Sequence, residues 1–190
     1  MKKMMKWAGD YRWDTATDEN GKVKNVYVYT GPLFKADETG EEHAVRRIRL
    51  LLAFVIALVL FVPQMILSSN LARNIFVILP FSINLFTLLF FGEGLVTYWK
   101  YKEELTRPQK EKTVDRFKAA SFAGSFLFLV STVAAYVVIA VFLVKISVFD
   151  VIFAVCDTLL TVIFVLTFMY TRKFTTKECE NPIASEWEKL

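Results

Sequence analysis

The sequence predicts an all-α membrane protein: a bundle of four transmembrane helices, both termini cytoplasmic, with a small cytoplasmic β-hairpin near the N-terminus. Three observations predict it. The 190 residues are 55% apolar, and the 23 basic and 19 acidic side chains avoid four stretches, 50–67, 75–98, 119–144 and 151–171. Those 89 residues hold two charges, Glu93 and Asp157, while the other 101 residues hold 40. About 20 nearly uncharged apolar residues are what a helix needs to cross a hydrocarbon core of roughly 30 Å, so a water-soluble domain is excluded. The second observation is the distribution of Lys and Arg: 10 in residues 1–49, 7 in 99–118 and 4 in 172–190, against Arg73 and Lys145 alone in the two remaining loops. A split of 21 to 2 places residues 1–49, the 99–118 loop and the 172–190 tail inside by the positive-inside rule. The third is a period-two pattern confined to residues 11–30.

That N-terminal pattern reads as two strands around a turn. Tyr11 to Thr15 alternates, Asp18-Glu19-Asn20-Gly21 suits a turn needing positive φ, and Val26-Tyr27-Val28-Tyr29 alternates again before Gly31-Pro32 closes the segment. A lone two-stranded hairpin is marginal in water, so its apolar face calls for cover from the membrane surface, the rest of the chain or another protein. Met1-Lys2-Lys3 is not followed by the apolar run of a cleavable signal, since Asp10 and Arg12 interrupt it, and the first span is expected to direct insertion.

Thr39 and Glu42 match a capping box, which starts a helix near residue 40 that continues into the first span past Arg46, Arg47 and Arg49. Pro63 and Gln64 place a kink near its outer end. The second span ends in the aromatic border Tyr98, Trp99 and Tyr101. Thr106, Gln109 and Pro108 then repeat the capping pattern, so the third span is expected to carry a cytoplasmic extension. The tail, with Ile183, Trp187 and Leu190 on one helical face, is expected to fray. The outer loops, 68–74 and 145–150, are too short to project a domain. Cys156 and Cys179 are expected as separate thiols, because the helix between them spans about 22 Å.

Polar groups inside the spans are the candidate site. Pro80, Asn84 and Thr87 share one face of the second span, and Ala154, Asp157, Thr158 and Thr161 share one face of the fourth. Asn84, Tyr136 and Asp157 fall at similar depth, which makes Asp157, Asn84, Tyr136 and Thr161 candidates for intramembrane binding or transport. The alternative is a neutral Asp157 carboxyl serving only as bundle glue. Glu93, between Gly92 and Gly94, lies roughly 180° around the helix from Asn84. It is expected to reach the interface and pair with a basic residue such as Lys118 or Arg172, although a loosened helix turn would bring it to the pathway. Ala120, Gly124, Ser131 and Ala135 form a small-residue packing stripe on the third span, for contact with a neighbouring span of the same chain or with a second copy.

The chemistry that is missing narrows the function. His43 is the only histidine, and it stands in a charged segment. His-based metal sites and Ser-His triads are therefore excluded, as are Cys-x-x-Cys and Gly-rich phosphate loops. No metal and no cofactor is expected. The net charge of +4 matches anionic lipid rather than nucleic acid, because the basic residues flank the spans among acidic ones. The expected function is a non-enzymatic, multi-pass protein of the cell membrane, a structural, accessory or regulatory subunit working through its cytoplasmic face. Residues 11–30 are its contact with a partner protein or a second copy. The alternative is a small oligomeric transporter or channel using Asp157. A lipid-modifying enzyme is the minor third reading.

Overall fold

The computed structural model describes residues 7–17, 23–36, 40–100, 104–141, 145–179 and 181. Four helices are long and apolar enough to cross a membrane. They are α1 (Gly40–Ile66), α2 (Ile75–Lys100), α3 (Arg107–Val141) and α4 (Val148–Arg172). Thr39 and the hairpin turn at 18–22 fall outside the described residues, as do 142–144 at the expected end of the third span and 182–190 of the tail.

The hairpin forms from β1 (Tyr11–Thr17) and β2 (Val23–Tyr29), paired antiparallel with Trp13 opposite Tyr27. It is not alone at its end of the molecule. A second sheet joins three short strands from distant parts of the chain, β3 (Leu33–Ala36) in the centre, β4 (Glu104–Thr106) and β5 (Thr176–Cys179) at its edges, all antiparallel. The sequence reading had placed only loop and frayed tail at 104–106 and 176–179, and this sheet corrects it. Each strand is too short to show a period of its own, and every pair in the sheet joins residues at least 69 positions apart. The sheet also fixes geometry: the segments before α1, between α2 and α3, and after α4 meet at one end of the bundle.

Packing below the sheet explains why it holds. Phe34, Leu105 and Phe174 are buried with Leu50, Phe91, Leu95, Tyr98, Val114 and Phe117, so strands and helices share one apolar cluster that ties them together. Arg46 is buried with its guanidinium 3.8 Å from the Phe174 ring, a cation held over a π face. The sidechain of His43, expected in solvent, is half-buried with its ring 5.0 Å from that of Tyr98. The hairpin is fastened to this end by its base. Thr30 and Gly31 donate backbone N–H bonds to the Asp10 carbonyl, and the Tyr29 hydroxyl accepts from the Arg107 amide at 3.0 Å and donates to the Pro32 carbonyl at 2.8 Å. Asn181 closes the group by donating to the Tyr29 and Gly31 carbonyls at 3.0 and 3.1 Å. A Cβ at Gly31 would sit 2.7 Å from the Asp10 side chain, so only glycine allows that approach.

Thr106 starts α3, with its amide donating to Gln109 Oε1 at 2.8 Å and Pro108 in the first turn, as the spacing predicts. One wide π turn over Glu111–Asp115 follows. In α1, Pro63 cannot donate to the Val59 carbonyl, and the Gln64 amide instead folds back onto the Leu60 carbonyl at 2.9 Å.

At the far end a single carboxylate fastens both short loops. Asp150 is fully buried in the first turn of α4. Its Oδ1 accepts from Ser69 Oγ at 2.8 Å, the Asn70 amide at 2.7 Å and the Leu71 amide at 3.3 Å. Its Oδ2 accepts from Asn70 Nδ2 at 3.1 Å and the Ser147 amide at 2.9 Å, while Ser147 Oγ accepts from the Asp150 amide. Ser147-x-x-Asp150 is itself a capping-box spacing, a signal that the sequence reading passed over when it counted Asp150 as a loop charge.

Candidate functional site

The middle of the bundle is a polar layer between two aromatic ones. Phe81 of α2 and Phe153 of α4 lie with ring centroids 5.3 Å apart, and Phe61 of α1 stacks on Phe81 at 4.5 Å. Ten residues further along α2 and eleven along α4, Phe91 meets Phe164 at 6.2 Å, and Phe128 of α3 meets Phe164 at 5.0 Å. Since α2 and α4 run in the same direction, Asn84 and Asp157 occupy the interval, about 4.5 and 6 Å beyond Phe81 and Phe153 at 1.5 Å per residue.

Asn84, Ser131 and Asp157 are fully buried, and Thr87, Thr132 and Thr161 are nearly so. Thr132 Oγ1 donates to Asp157 Oδ2 at 3.1 Å and lies 2.9 Å from Thr161 Oγ1, which donates to the Asp157 carbonyl at 3.0 Å. The remaining polar atoms are unpartnered: Asp157 Oδ1, Ser131 Oγ, and both Oδ1 and Nδ2 of Asn84. A buried polar atom without a partner forfeits its hydration for no return, so four of them in one layer is a departure from ordinary packing.

Two of the expected site residues stand elsewhere. Tyr136 is half-exposed on the outer face of α3 and its hydroxyl reaches Thr158 at 3.2 Å, not Asp157 or Asn84. It stands five residues beyond Ser131, which turns it about 140° away from the inner face. Glu93 is exposed and forms an ion pair with Arg116 of α3, rather than with Lys118 or Arg172. Its flanking glycines do not loosen the helix; a Cβ on Gly92 would meet Phe54 at 2.8 Å and one on Gly94 would meet Phe117 at 3.2 Å, so they admit rings from α1 and α3.

The small-residue stripe Ala120, Gly124, Ser131 and Ala135 is buried inside the chain. Gly124 receives Phe164 of α4, with which a Cβ would collide, and Ser121 bonds Thr171 across the same pair of helices at 2.9 Å. An apolar groove of about 430 Å³ lies on the outside of α2 and α3, lined by Phe76, Leu129, Val133 and Val137 among others, and the polar layer contributes nothing to it. Among the described residues no three His, Cys, Asp or Glu side chains gather as a metal centre, and Cys156 and Cys179 are unpaired thiols.

The second candidate surface is the hairpin. Trp13 and Tyr27 are 60% and 59% exposed with centroids 3.8 Å apart, and Tyr11 packs edge-on to Tyr29 at 5.2 Å, two residues along on the same face. The Trp13 and Tyr27 rings form one apolar surface held by cross-strand pairing.

Four helices of this length and composition define the class, a multi-pass membrane protein. Comparison with known proteins places the chain no more narrowly: no family model, no curated protein and no solved structure matches it.

Proposed function

We propose that this chain is a non-enzymatic, structural, accessory or regulatory subunit of the cell membrane. The sheet-bearing end faces the cytoplasm, and the N-terminal hairpin is its contact with another protein subunit or a second copy of the chain. The observation that carries this is the stacked Trp13–Tyr27 pair, exposed on a hairpin whose base is pinned by Tyr29, Arg107 and Asn181. Large aromatic rings prepaid in conformational entropy are what protein contacts use as anchors. The orientation rests on the 21 to 2 split of basic residues. The test is the Trp13→Ala/Tyr27→Ala variant, extracted gently from its own membrane beside the wild type and weighed by native mass spectrometry. Loss of a heavier assembly with unchanged helix content is expected. Equal masses would overturn the reading.

A second reading, a small oligomeric transporter or channel, draws on the unpartnered atoms of Asp157, Asn84 and Ser131. It requires that Asp157→Asn abolish flux in proteoliposomes while leaving the hairpin contact intact.

A further inference from the structure

We infer that the polar layer between α2, α3 and α4 is a binding site for one small monovalent cation, Na⁺ in the first instance, carried with a water molecule and held at Asp157. The inference concerns binding and holds whether or not the ion crosses the membrane.

Charge balance leads to it. Asp157 is fully buried, and the four-span reading puts it in hydrocarbon, where an uncompensated carboxylate is expensive. None of the helices around it supplies a cation. On α1 no titratable residue follows Arg49, and on α2 the nearest is Glu93, more than two turns away and engaged with Arg116. On α3 the nearest is Tyr136, turned outward. On α4 the neighbours are Cys156, Thr158 and, two turns away, Asp150, whose oxygens are taken up by the loop clasp. The compensating charge therefore comes from outside the chain, and one carboxylate asks for one positive charge.

The unpartnered atoms describe what brings it. Asp157 Oδ1, Asn84 Oδ1 and Ser131 Oγ are oxygens from three helices, all fully buried and none in a hydrogen bond of ordinary geometry, with the Ser131 hydroxyl lying beside the Asp157 carboxyl. Oxygen-only shells suit hard cations. Asn84 Nδ2 is also unpartnered and, being a donor, cannot face a metal ion, but it can donate to a water that the ion carries. A proton on Asp157 neutralises the charge and makes the carboxyl a donor to one neighbouring oxygen, which leaves Asn84 Nδ2 without an acceptor, whereas a hydrated cation satisfies all four atoms. The Thr132 bond occupies Oδ2, which leaves Oδ1 as the open oxygen of the carboxylate.

The full chain in nanodiscs of neutral lipid is heated in NaCl or choline chloride at matched ionic strength, at a pH of about 8, with unfolding read by tryptophan fluorescence. The melting temperature is expected to rise with each tenfold increase in NaCl, as it must when a ligand binds only the folded state, and to stay flat in choline. Asp157→Asn should abolish the rise, and Asn84→Ala and Ser131→Ala should each shift its midpoint to at least tenfold higher NaCl. A wild type that melts alike in both salts, responding to pH only, would mean a bound proton and would overturn the inference. Should Asp157→Asn not fold, the two alanine variants decide, and an unchanged midpoint in both overturns it equally.

Discussion

Two aspartates stand seven residues apart on α4, both fully buried, and they are treated in opposite ways. Asp150 is surrounded by donors from two loops, five of them within hydrogen-bonding distance of its two oxygens. Asp157 has the Thr132 hydroxyl on Oδ2 and the Ser131 hydroxyl beside it, and no backbone amide is aimed at it. The difference follows from where the backbone is regular. At a helix start and in a tight loop, amides are unspent and can be aimed at a carboxylate. In mid-helix every amide is already committed to the ladder, so only side chains remain to serve Asp157, and the sequence supplies hydroxyls and an amide that do not close the shell. A buried carboxylate is thus a fastener where the backbone is free and an open site where it is not.

The largest expected break in this comparison is Asp150→Ala. It should cost about 3–5 kcal/mol in mixed-micelle denaturation, since it removes a buried charge and leaves its donors unpaired. A cost below about 1 kcal/mol would mean that the loops hold together without it. Gly124→Val comes next, because its side chain would drive into Phe164, the floor of the polar layer. A loss of about 1–3 kcal/mol is expected from overpacking, with hydrogen exchange faster around residues 157–164 and unchanged at Ser69–Leu71. Asp157→Asn in Na⁺-free buffer should change stability by less than about 1 kcal/mol, since it removes an unsatisfied group rather than a satisfied one. A cost as large as that of Asp150→Ala would erase the contrast.

The smallest effect is at Tyr29, a third fastening, this time outside the spans. Burial pushes its phenol above the ordinary value of 10.0, against the opposing pull of the Arg107 amide bond. A raised acid favours its neutral form in the fold, so the contribution of Tyr29 is complete below pH 10 and lost as pH rises through the raised value. In ultraviolet titration, Tyr29→Phe should remove one phenol from the late-ionising part of the curve.

The parts of the fold that were legible in the sequence are those governed by a local rule. Helix length against bilayer thickness gave four helices, and period-two alternation gave the hairpin from Tyr11 to Tyr29. The β4–β3–β5 sheet was not legible, because three or four residues carry no period and the pairing of Leu33 with Thr106 and Cys179 is a tertiary fact. Within the polar layer, Asn84, Asp157 and Thr161 were readable from helical phase, whereas Ser131 was read only as a small packing residue. Tyr136 was misplaced because depth was matched and rotation was not. The Asp150 clasp was missed even though Ser147-x-x-Asp150 announces a helix start, since its loop partners at Ser69 and Asn70 lie some 80 residues earlier.

The middle position of β3 imposes an order on biosynthesis. Leu33–Ala36 leaves the ribosome before any of the helices, yet its two neighbours follow much later, β4 at residue 104 and β5 at residue 176. At about 5–20 residues per second, the wait for β5 is on the order of ten seconds. Throughout it one edge of β3 is open to any passing strand, and a chain interrupted after α4 would keep that edge open for good. β5 is thus the latch that closes the sheet last, and the edge that it covers is the one exposed longest.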